Sequence, residues 1–487
     1  MKKISFGLAT IIVFSAVLCA LSACKGCGGN NACSSYKIEC NLDGNVLYAT
    51  EEVDFYNAFD NSFSALKFNL FGNAFRKGAK YHAVPDNHKT QSYYCGENYG
   101  SLVINSVSGE EGALEYRICG EDDNILEVQL DTEVFPDERY SVKIDFTLNI
   151  VKAVARTGIN PDTINLGNFY PILCAYDGGG FYECVYYPWG DPFYSDCADY
   201  TVQITADEKY TVASTGKKTA ESVNDGKKTA VYKADDVRSF AFVLSEKFSV
   251  KKAEYGGKEV LYYYYDDLTP NDSLSCAVKA LQCFTDKYGA YPYPTYSVAQ
   301  TRFVQGGMEY PALVFIGDGL DERAYKEVIV HETAHQWWLA TVGNNEVEYG
   351  FLDEGLAEYS VVVFYENNPE YGYAREDLIA SAENNFKVFC SVHDKLFGKV
   401  DTSMNRSLKE FDGEYEYVTV AYVKPCIMYD CLRKTIGDEK FFGALKNYYR
   451  LYAFKNAVPD DLIGAFEKTG ADAEGFLRSF IDGKEIM

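Results

Sequence analysis

The sequence predicts an α+β protein in which an N-terminal antiparallel β-domain is followed by a mainly helical domain. Its 487 residues are too many for one ordinary hydrophobic core, so we expect at least two domains. Short segments of alternating apolar and polar residues fill the first half, whereas the apolar period lengthens in the second half. Hydrophobic residues make up 47% of the chain and aromatic residues 15%, which excludes a disordered protein.

The alternating segments lie between residue 36 and about residue 248. Segments such as NVLYATEEVDFY, SLVINSV and RYSVKIDFTLNIV place β-branched or aromatic residues at every second position. Clusters of Gly, Asn and Asp separate these segments, as expected of turns between antiparallel strands. We therefore predict a β-domain over residues 36–248.

The second domain is predicted over residues 249–487. It opens with one more strand-like stretch, KEVLYYYYDD, after which apolar residues recur three and four positions apart. This period is typical of helices that bury one face. The segments that show it lie around 271–287, 322–341, 353–367, 373–390, 420–435, 438–453 and 459–481.

The first residues have the order of an export signal. Lys2 and Lys3 precede an uncharged apolar run over 4–20, and Leu-Ser-Ala-Cys follows at 21–24. Small residues before a cysteine are typical of a lipoprotein signal, so we predict a signal peptide over 1–23 and lipidation of Cys24. The alternatives are an uncleaved membrane helix and an ordinary signal with an incidental cysteine. All three place the rest of the chain outside the cytoplasm.

Residues 24–35 are small, polar and rich in glycine, which predicts a flexible tether between the lipid and the folded body. We therefore expect an exported lipoprotein that is anchored to a membrane, at the cell surface or in the periplasm. The formal charge of -25 would repel phosphate backbones, so nucleic acid is not expected as a partner. Cys24 and Cys27 have CxxC spacing only if the residue predicted to carry lipid is included, no other cysteines have it, and we assign none to a metal or to catalysis.

The segment YKEVIVHETAHQWWLATV, residues 325–342, carries the pattern of a metal site. On a helix, His331 and His335 lie one turn apart on one face, where both imidazoles can bind one zinc ion. Glu332 points along the adjacent side, where it can act as a general base without binding the ion. The alternative is a solvated helix face, but the surrounding Val, Ile and Trp residues favour a partly buried cleft.

Glu354 is the candidate third ligand, with 18 residues between it and His335. Two histidines and one glutamate leave a fourth position open, which is typical of a catalytic site with one Zn2+ per chain. Asp353 or Glu358 is expected either to orient an imidazole or to face solvent, and both alternatives stay open. His82, His88 and His393 lack comparable neighbours and are expected to be structural or surface residues.

These residues resemble the aminopeptidase N family of zinc metallopeptidases, the gluzincins. That family has HExxH, 18 residues and Glu, which appear here as HETAHQWW and LDEG. The segment GGMEYP at 306–311 is similar to its Gly-Ala-Met-Glu-Asn motif, with Glu309 at the Glu position and Tyr310 in place of Asn. In AYVKPC, Tyr422 falls on the tyrosine that contacts the transition state, and Pro425 stands where Gly is usual.

The resemblance implies a function and a role for each matched residue. It implies that 249–487 form a thermolysin-like zinc peptidase domain that hydrolyses N-terminal residues from peptides. Glu332 would then be the base and Tyr422 the donor to the oxyanion. The segment Gly306, Gly307, Met308 and Glu309 would bind substrate, with Glu309 on the free α-ammonium. We expect a lipoprotein member without the long C-terminal helical domain of larger relatives.

One element of the resemblance is less well defined. Larger members of the family place a second amine-binding residue, donated by the β-domain, beside the substrate. Asp177 is the positional candidate and Glu183 the second choice, and a plain loop carboxylate is the alternative for both. Two other functions remain open at this stage: a thermolysin-like endopeptidase and a non-catalytic, peptide-binding surface lipoprotein.

Overall fold

The computed structural model describes residues 33–470 and 473–484. The predicted signal peptide, Cys24 and the first part of the tether lie outside these residues. Within the described ranges, no helix combines the length and apolar character that crossing a membrane requires.

Strands dominate the chain as far as Ser245. Strands β1–β16 have the bounds Ser35–Asp43, Val46–Tyr56, Phe63–Asn69, Ser101–Gly109, Gly112–Ala113, Tyr116–Cys119, Ile125–Val134, Arg139–Asn149, Thr157–Ile159, Ile164–Leu166, Ile172–Leu173, Ala198–Asp207, Thr211–Ser214, Lys217–Asn224, Lys227–Val237 and Phe242–Ser245. They form one eight-stranded sheet, in the order β14-β15-β12-β1-β2-β8-β4-β5, and two four-stranded sheets, β13-β16-β10-β9 and β11-β3-β7-β6. Among the described pairs of these strands, β1 with β12 is parallel and the others are antiparallel.

The alternation seen in the sequence becomes one buried row per strand. In β8, the side chains of Tyr140, Val142, Ile144, Phe146 and Leu148 are buried, and the residues between them are at least partly exposed. This is the arrangement of an antiparallel sheet with one face on a core. The predicted antiparallel β-domain is thus confirmed.

A five-stranded sheet begins at Ser249, within the domain predicted to be mainly helical. Strands β17–β21 are Ser249–Tyr255, Lys258–Tyr264, Thr295–Thr301, Gly307–Met308 and Leu313–Gly317, in the order β17-β18-β19-β21-β20. The short strands β22 (Val342–Asn344) and β23 (Lys455–Ala457) pair in parallel. Only the stretch around β18 is predicted from the sequence, because β19 and β21 are buried throughout and show no alternation.

Helices form most of the remaining second domain. After α1 (Lys89–Ser92) in the β-domain, helices α2–α11 are Pro270–Tyr288, Glu322–Ala334, Glu346–Tyr349, Phe351–Asn367, Arg375–Leu396, Glu414–Val418, Lys424–Ile436, Asp438–Tyr452, Pro459–Glu467 and Glu474–Ile481. Single 3₁₀ turns span Phe71–Phe75, Asp86–His88, Pro369–Tyr371 and Leu408–Glu410, and a π turn spans Thr419–Val423. The predicted helix over 459–481 is therefore two helices, and 420–435 begins with the π turn.

Arg238 of the β-domain joins the two domains. Its guanidinium donates to the carbonyl oxygens of Leu339 at 2.6 Å and Lys455 at 2.7 Å, in the second domain. It also donates to the carbonyl of Ser195 at 3.0 Å, within its own domain. A β-carbon on Gly343 would overlap this guanidinium, so the glycine is needed for the close approach. The cleft between the domains is held in a fixed geometry by these contacts.

Candidate active site

Helix α3 carries both histidines and ends earlier than predicted. It starts at the N-cap Asp321, whose side chain accepts from the backbone N–H of Ala324 at 2.9 Å. It ends at Ala334, whereas the sequence predicts helix as far as 341. The hydroxyl of Thr341 donates to the Gln336 carbonyl at 2.7 Å, and Val342 N–H donates to Trp337 at 3.0 Å, so a turn replaces the last helical bonds. His335 keeps a helical backbone at the C-cap and stays on the face of His331.

The predicted ligand atoms form a nearly equilateral triangle. His331 Nε2 and His335 Nε2 are 3.1 Å apart, and each lies 3.2 Å from Oε2 of Glu354. Tetrahedral ligands about 2.0–2.1 Å from zinc lie roughly 3.3 Å from one another. The three atoms therefore fit one zinc ion, and the structure brings together all three residues that the sequence assigns to the metal.

Outer contacts fix the orientation of both imidazoles. Nδ1 of the buried His335 lies 2.9 Å from the carbonyl oxygen of Trp338, to which it donates, so Nε2 carries the lone pair. Nδ1 of His331 lies 3.3 Å from Glu358 Oε2. Oδ2 of Asp353 is farther away, 3.9 Å from Nδ1 of His335. The other oxygen of Asp353, Oδ1, accepts a hydrogen bond from the Asn344 side-chain amide at 2.9 Å. Glu358 and the Trp338 carbonyl thus orient the ligands directly.

Glu354 lies in the first turn of α5 and is 2% exposed. Burial alone would raise the pKa of its carboxyl, but the two adjacent imidazoles lower the pKa to about 2, so the group is a carboxylate. The next residue, Gly355, packs against Pro425, and a β-carbon there would overlap the proline ring. Gly355 thus lets α5 approach α8, whose second residue is Pro425.

Tyr422 reaches the ligands from the π turn before α8. Its hydroxyl donates to Oε1 of Glu354 at 2.5 Å, and its ring lies parallel to that of His331, with centroids 5.9 Å apart. Pro425 has no N–H, so the regular helical bond to Ala421 cannot form and a wider turn is favoured. The proline at the family's usual glycine position changes the local backbone and leaves the phenol facing the metal ligands.

The carboxyl group of Glu332 is enclosed by a glycine-containing strand. Glu332 is 5% exposed, and burial raises the pKa of its carboxyl to about 7 although the two histidines oppose the rise. Oε2 of Glu332 has no hydrogen-bond partner among the described residues, so this atom is available to a reactant. A β-carbon on Gly307 would overlap the Glu332 carboxylate, so only glycine leaves space for the base there.

The segment predicted to bind substrate follows this glycine. Gly307 and Met308 form β20, and Glu309 comes next with 4% exposure. Carboxylate oxygens of Glu309 and Glu332 and a nitrogen of His335 lie within 4.8 Å of one another. Gly306 has a φ of +94°, which favours glycine, and its carbonyl accepts from Gly317 N–H at 2.7 Å. Glu309 therefore lies beside both the base and a metal ligand.

Two further contacts hold this segment against its surroundings. The Gln336 amide donates to the Tyr310 carbonyl at 3.2 Å and accepts from Ala312 N–H at 2.7 Å, which ties the strand to the end of α3. The Tyr310 hydroxyl donates to Asn168 Oδ1 at 3.0 Å. Gly167 faces the Tyr310 ring, and a β-carbon there would overlap the hydroxyl. The tyrosine in place of the family's asparagine is accommodated by this glycine of the β-domain.

The β-domain contributes an acid to the cavity, but not the one predicted. Asp177 lies in an exposed turn, where its carboxylate accepts from the N–H groups of Gly179 and Gly180 at 2.9 and 3.2 Å. The three glycines after Asp177 give the turn that its carboxylate caps, and this keeps it away from the cavity. Glu183 forms an ion pair with Lys67 at 2.5 Å instead. Neither residue lines the catalytic cavity.

Asp191 is the β-domain acid that does line it. It is buried and forms an ion pair with Arg156, whose Nε also donates to Met308 Sδ at 2.9 Å. A third buried acid, Glu346, lies close to both Asp191 and Glu309. The YYPWGDPF segment that carries Asp191 resembles family sequence, but no pattern in the sequence marks Arg156 or Glu346.

The catalytic cavity has a volume of about 280 Å³ and is lined by residues of both domains. It contains the three metal-ligand candidates, Glu332, Glu309 and Tyr422. His82 and His393 are not among its lining residues, and His88 contacts Glu414 at 3.2 Å. These three histidines take no part in the predicted metal site, in agreement with the sequence-based expectation.

Comparison with known proteins identifies one domain and several distant relatives. Residues 273–482 match the profile of the peptidase family M1 domain. Aminopeptidase M1-B of Oryza sativa is 26% identical over 41% of this chain and 24% of its own length. Leukotriene A-4 hydrolase of Xenopus laevis is 28% identical over 38% of this chain and 30% of its own length. Aminopeptidase N of Lactococcus lactis is 25% identical over 43% of this chain and 26% of its own length.

These relatives are much longer than the part they share with this chain, which matches between about a quarter and a third of their length. A solved structure covers more. The M1 zinc metallopeptidase from Deinococcus radiodurans matches 93% of this chain and 94% of its own chain, with a TM-score of 0.67 and 16% identity. A variant of that protein, solved with a Tyr-Ser-Ala substrate, matches with a TM-score of 0.65 and 15% identity. At 15–16% identity, this likeness shows a shared fold. The shared fold extends over nearly all of both chains.

The His-Glu-x-x-His helix, the third acidic ligand on the next long helix and the adjoining glycine-containing strand all lie within or beside the matched region. Residues 273–482 therefore form a peptidase family M1 domain, and the chain is similar to aminopeptidase N-like gluzincins.

Proposed function

We propose that the protein is a zinc-dependent aminopeptidase that removes N-terminal residues from peptides. The observation that carries the proposal is the position of Glu309, a buried carboxylate within 4.8 Å of both the general-base candidate Glu332 and the ligand His335. The names of the relatives, among them aminopeptidase N and aminopeptidase M1-B, support the same activity.

His331, His335 and Glu354 would hold the ion, one per chain. When bound, zinc supplies a Lewis acid that polarises the scissile carbonyl and makes water a better acid. The preceding geometry shows that the donor set suits this ion: two imidazoles with oriented lone pairs and one carboxylate, at tetrahedral spacing.

Glu332 accepts the proton of the attacking water and passes it to the nitrogen of the leaving amine. Its Oε2 atom lacks a hydrogen-bond partner in the described structure, and Gly307 leaves room for the carboxylate beside the strand. A general base in such a position contributes about 10²–10⁴ in rate. A binding-only protein would have no physical need for a buried carboxyl at this point.

Tyr422 donates a hydrogen bond to the oxygen that becomes negative as water adds to the carbonyl. Its hydroxyl contacts Glu354 in this structure, and a substrate oxygen beside the ligands would take that hydrogen bond. Glu309 binds the α-ammonium of the substrate, so the bond that is cut is one residue from the N-terminus. An endopeptidase has no use for this anchor, and Glu309 therefore favours the exopeptidase over that alternative.

Product mapping by mass spectrometry tests this function. The zinc-loaded protein is incubated with a ten-residue peptide carrying a free N-terminus and, separately, with its N-acetylated form. We expect stepwise loss of N-terminal residues from the free peptide alone, and no cleavage after a chelator removes the metal. Internal cleavage of both peptides at similar rates would establish the endopeptidase alternative, and cleavage of neither would favour a binding protein.

We propose further that the protein is exported and held at a membrane by lipid on Cys24. This proposal rests on the order of charged, apolar and small residues in 1–24. The native protein should partition into detergent, and its mature N-terminus should be a lipid-modified Cys24. A water-soluble mature form starting at another residue, without lipid mass, would contradict it.

A further inference from the structure

A cluster of three buried carboxylates lies beside the catalytic cavity. Oxygen atoms of Asp191, Glu309 and Glu346 lie within 4.8 Å of one another, and the residues are between 4% and 7% exposed. Each comes from a different element: the loop before β12, the end of β20 and the start of α4. The fold therefore brings together three acids that are distant in the sequence.

Two of these acids each have one carboxyl oxygen without a hydrogen-bond partner. Asp191 is paired with Arg156, but Oε1 of Glu309 and Oε1 of Glu346 have no hydrogen-bond partner among the described residues. An ionised carboxyl buried without a partner costs several kcal/mol, so such a group either keeps its proton or is satisfied by a ligand that brings positive charge and hydrogen-bond donors.

The charges around the cavity leave one acid unmatched. Arg156 compensates Asp191, the metal would compensate Glu354, and in the proposed function the α-ammonium of the substrate compensates Glu309. Among the described residues Glu346 forms no ion pair, and the charged groups with the largest effect on it are other acids. A second positive charge on the same substrate residue would satisfy it.

The space next to Glu346 suits such a group. A small cavity of about 40 Å³ is lined by acidic, apolar and polar residues, among them Glu346, Glu309, Phe193 and Met308. Arg238 also lines it, but its guanidinium donates to the carbonyl oxygens of Leu339, Ser195 and Lys455. Because about 10–15 Å³ of such space holds one water molecule, the cavity has room for an ammonium head group but not for a large ring. The apolar walls can contact methylene groups while the carboxylate binds the charged end.

We propose that Glu346, with Asp191 and Glu309, forms a subsite for an ammonium-bearing side chain, so that N-terminal lysine or ornithine is preferred. The inference rests on the proposed function. Glu309 would bind the α-ammonium and Glu346 the side-chain ammonium. The oxygens of the two acids lie within 4.8 Å, a separation that the flexible four-carbon stem of lysine can span.

The test compares lysyl and norleucyl chromogenic amides, since norleucine keeps the unbranched chain and lacks the charge. In the wild type we expect kcat/KM for the lysyl substrate to exceed that for the norleucyl substrate by at least about tenfold. In Glu346→Gln the ratio should fall close to one, with zinc content unchanged. Glu348→Gln is the matched control, because Glu348 lies on the same helix, contacts Tyr182 at 2.6 Å and does not line either cavity.

Equal or faster cleavage of the norleucyl substrate by the wild type would overturn the inference, as would a lysyl preference that survives Glu346→Gln. A second equivalent of metal per chain that disappears in Glu346→Gln would also overturn it, since an inorganic cation would then occupy the cluster.

Calorimetric binding of free lysine and norleucine separates this inference from the proposed function, because it does not need turnover. Lysine should bind the wild type at least about tenfold more tightly than norleucine, and Glu346→Gln should remove the difference. If neither amide is cleaved but this difference is seen, the proposed activity fails and the subsite stands. If both amides are cleaved and lysine has no advantage in rate or binding, the activity stands and the subsite fails.

Discussion

Gly307 lies directly against the carboxylate of Glu332, and a β-carbon at position 307 would occupy the space of that carboxylate. The glycine of the substrate-binding strand and the base on α3 therefore depend on each other. This contact explains why a short glycine-containing motif and a helix motif occur together in one chain.

Gly307→Ala should displace Glu332 and lower kcat by at least about 100-fold, because a general base contributes about 10²–10⁴. Zinc content should stay at one per chain, since no metal ligand contacts Gly307. Steady-state kinetics and metal analysis check both outcomes. Gly319→Ala is the control, because a β-carbon at Gly319 meets nothing within 4 Å. Unchanged kcat in Gly307→Ala would contradict the role of Glu332.

Glu354→Ala should abolish stable zinc binding, because it removes one of the three protein ligands and leaves two imidazoles. Glu358→Gln changes only the group beside His331 Nδ1, so we expect zinc affinity to fall by about 10- to 100-fold. Competition with a chromogenic chelator measures both affinities. Full zinc occupancy in Glu354→Ala would show that another residue is the third ligand.

Tyr422→Phe should lower kcat by about 100- to 1000-fold and leave zinc content unchanged, because it removes a donor to the oxyanion and no ligand. The phenylalanine can keep the ring stacked on His331, so the cavity should retain its shape. Binding of a substrate-like competitive inhibitor checks that the cavity is intact. A variant with normal kcat would leave Tyr422 with a structural role through Glu354.

Glu51 is an acid in the buried row of β2, opposite Ile38 and Ile144, and neither of its oxygens has a hydrogen-bond partner in the described structure. Burial raises the pKa of this carboxyl well above its usual value. The folded state thus keeps a proton that the unfolded state loses above about pH 4.3. Stability from this group is therefore present below that pH and declines as pH rises.

Glu51→Met should stabilise the protein by about 1–3 kcal/mol at pH 7, and the gain should shrink as pH falls toward 5. Denaturant unfolding of wild type and variant at pH 7.5, 6 and 5 measures the difference. Glu52→Met is the control on the exposed face of the same strand, and its effect should be small and independent of pH. A wild type that is more stable than Glu51→Met at every pH would contradict the assignment.

The sequence was sufficient for features that depend on local spacing. His331, His335 and Glu332 lie on one helix, where a separation of four residues fixes their relation before any tertiary contact forms. Glu354, Glu309 and Tyr422 come from separate elements, and their predicted positions followed from the family resemblance. The alternating segments similarly predict β8, because its two faces have different surroundings.

The remaining features depend on packing between distant segments. Asp191 reaches the cavity only because a long loop of the β-domain lies across the second domain and pairs with Arg156. Asp177 was the candidate chosen from its position in the sequence, but it lies in an exposed turn that contains glycines. The end of α3 is set by side-chain bonds from Thr341, which the helical period does not reveal.

A double-mutant cycle tests the central claim, that Glu309 makes the enzyme an exopeptidase by binding a free α-ammonium. The measurement is kcat/KM for a free and an N-acetylated peptide with wild type and with Glu309→Gln. Each change alone should lower kcat/KM by about two orders of magnitude or more, because each leaves one partner of a buried ion pair unmatched. The two changes together should lower kcat/KM by clearly less than the product of the two separate factors, because both remove the same interaction. Zinc content should not change. Independent effects that multiply in full, or equal rates on free and acetylated peptides, would contradict the claim.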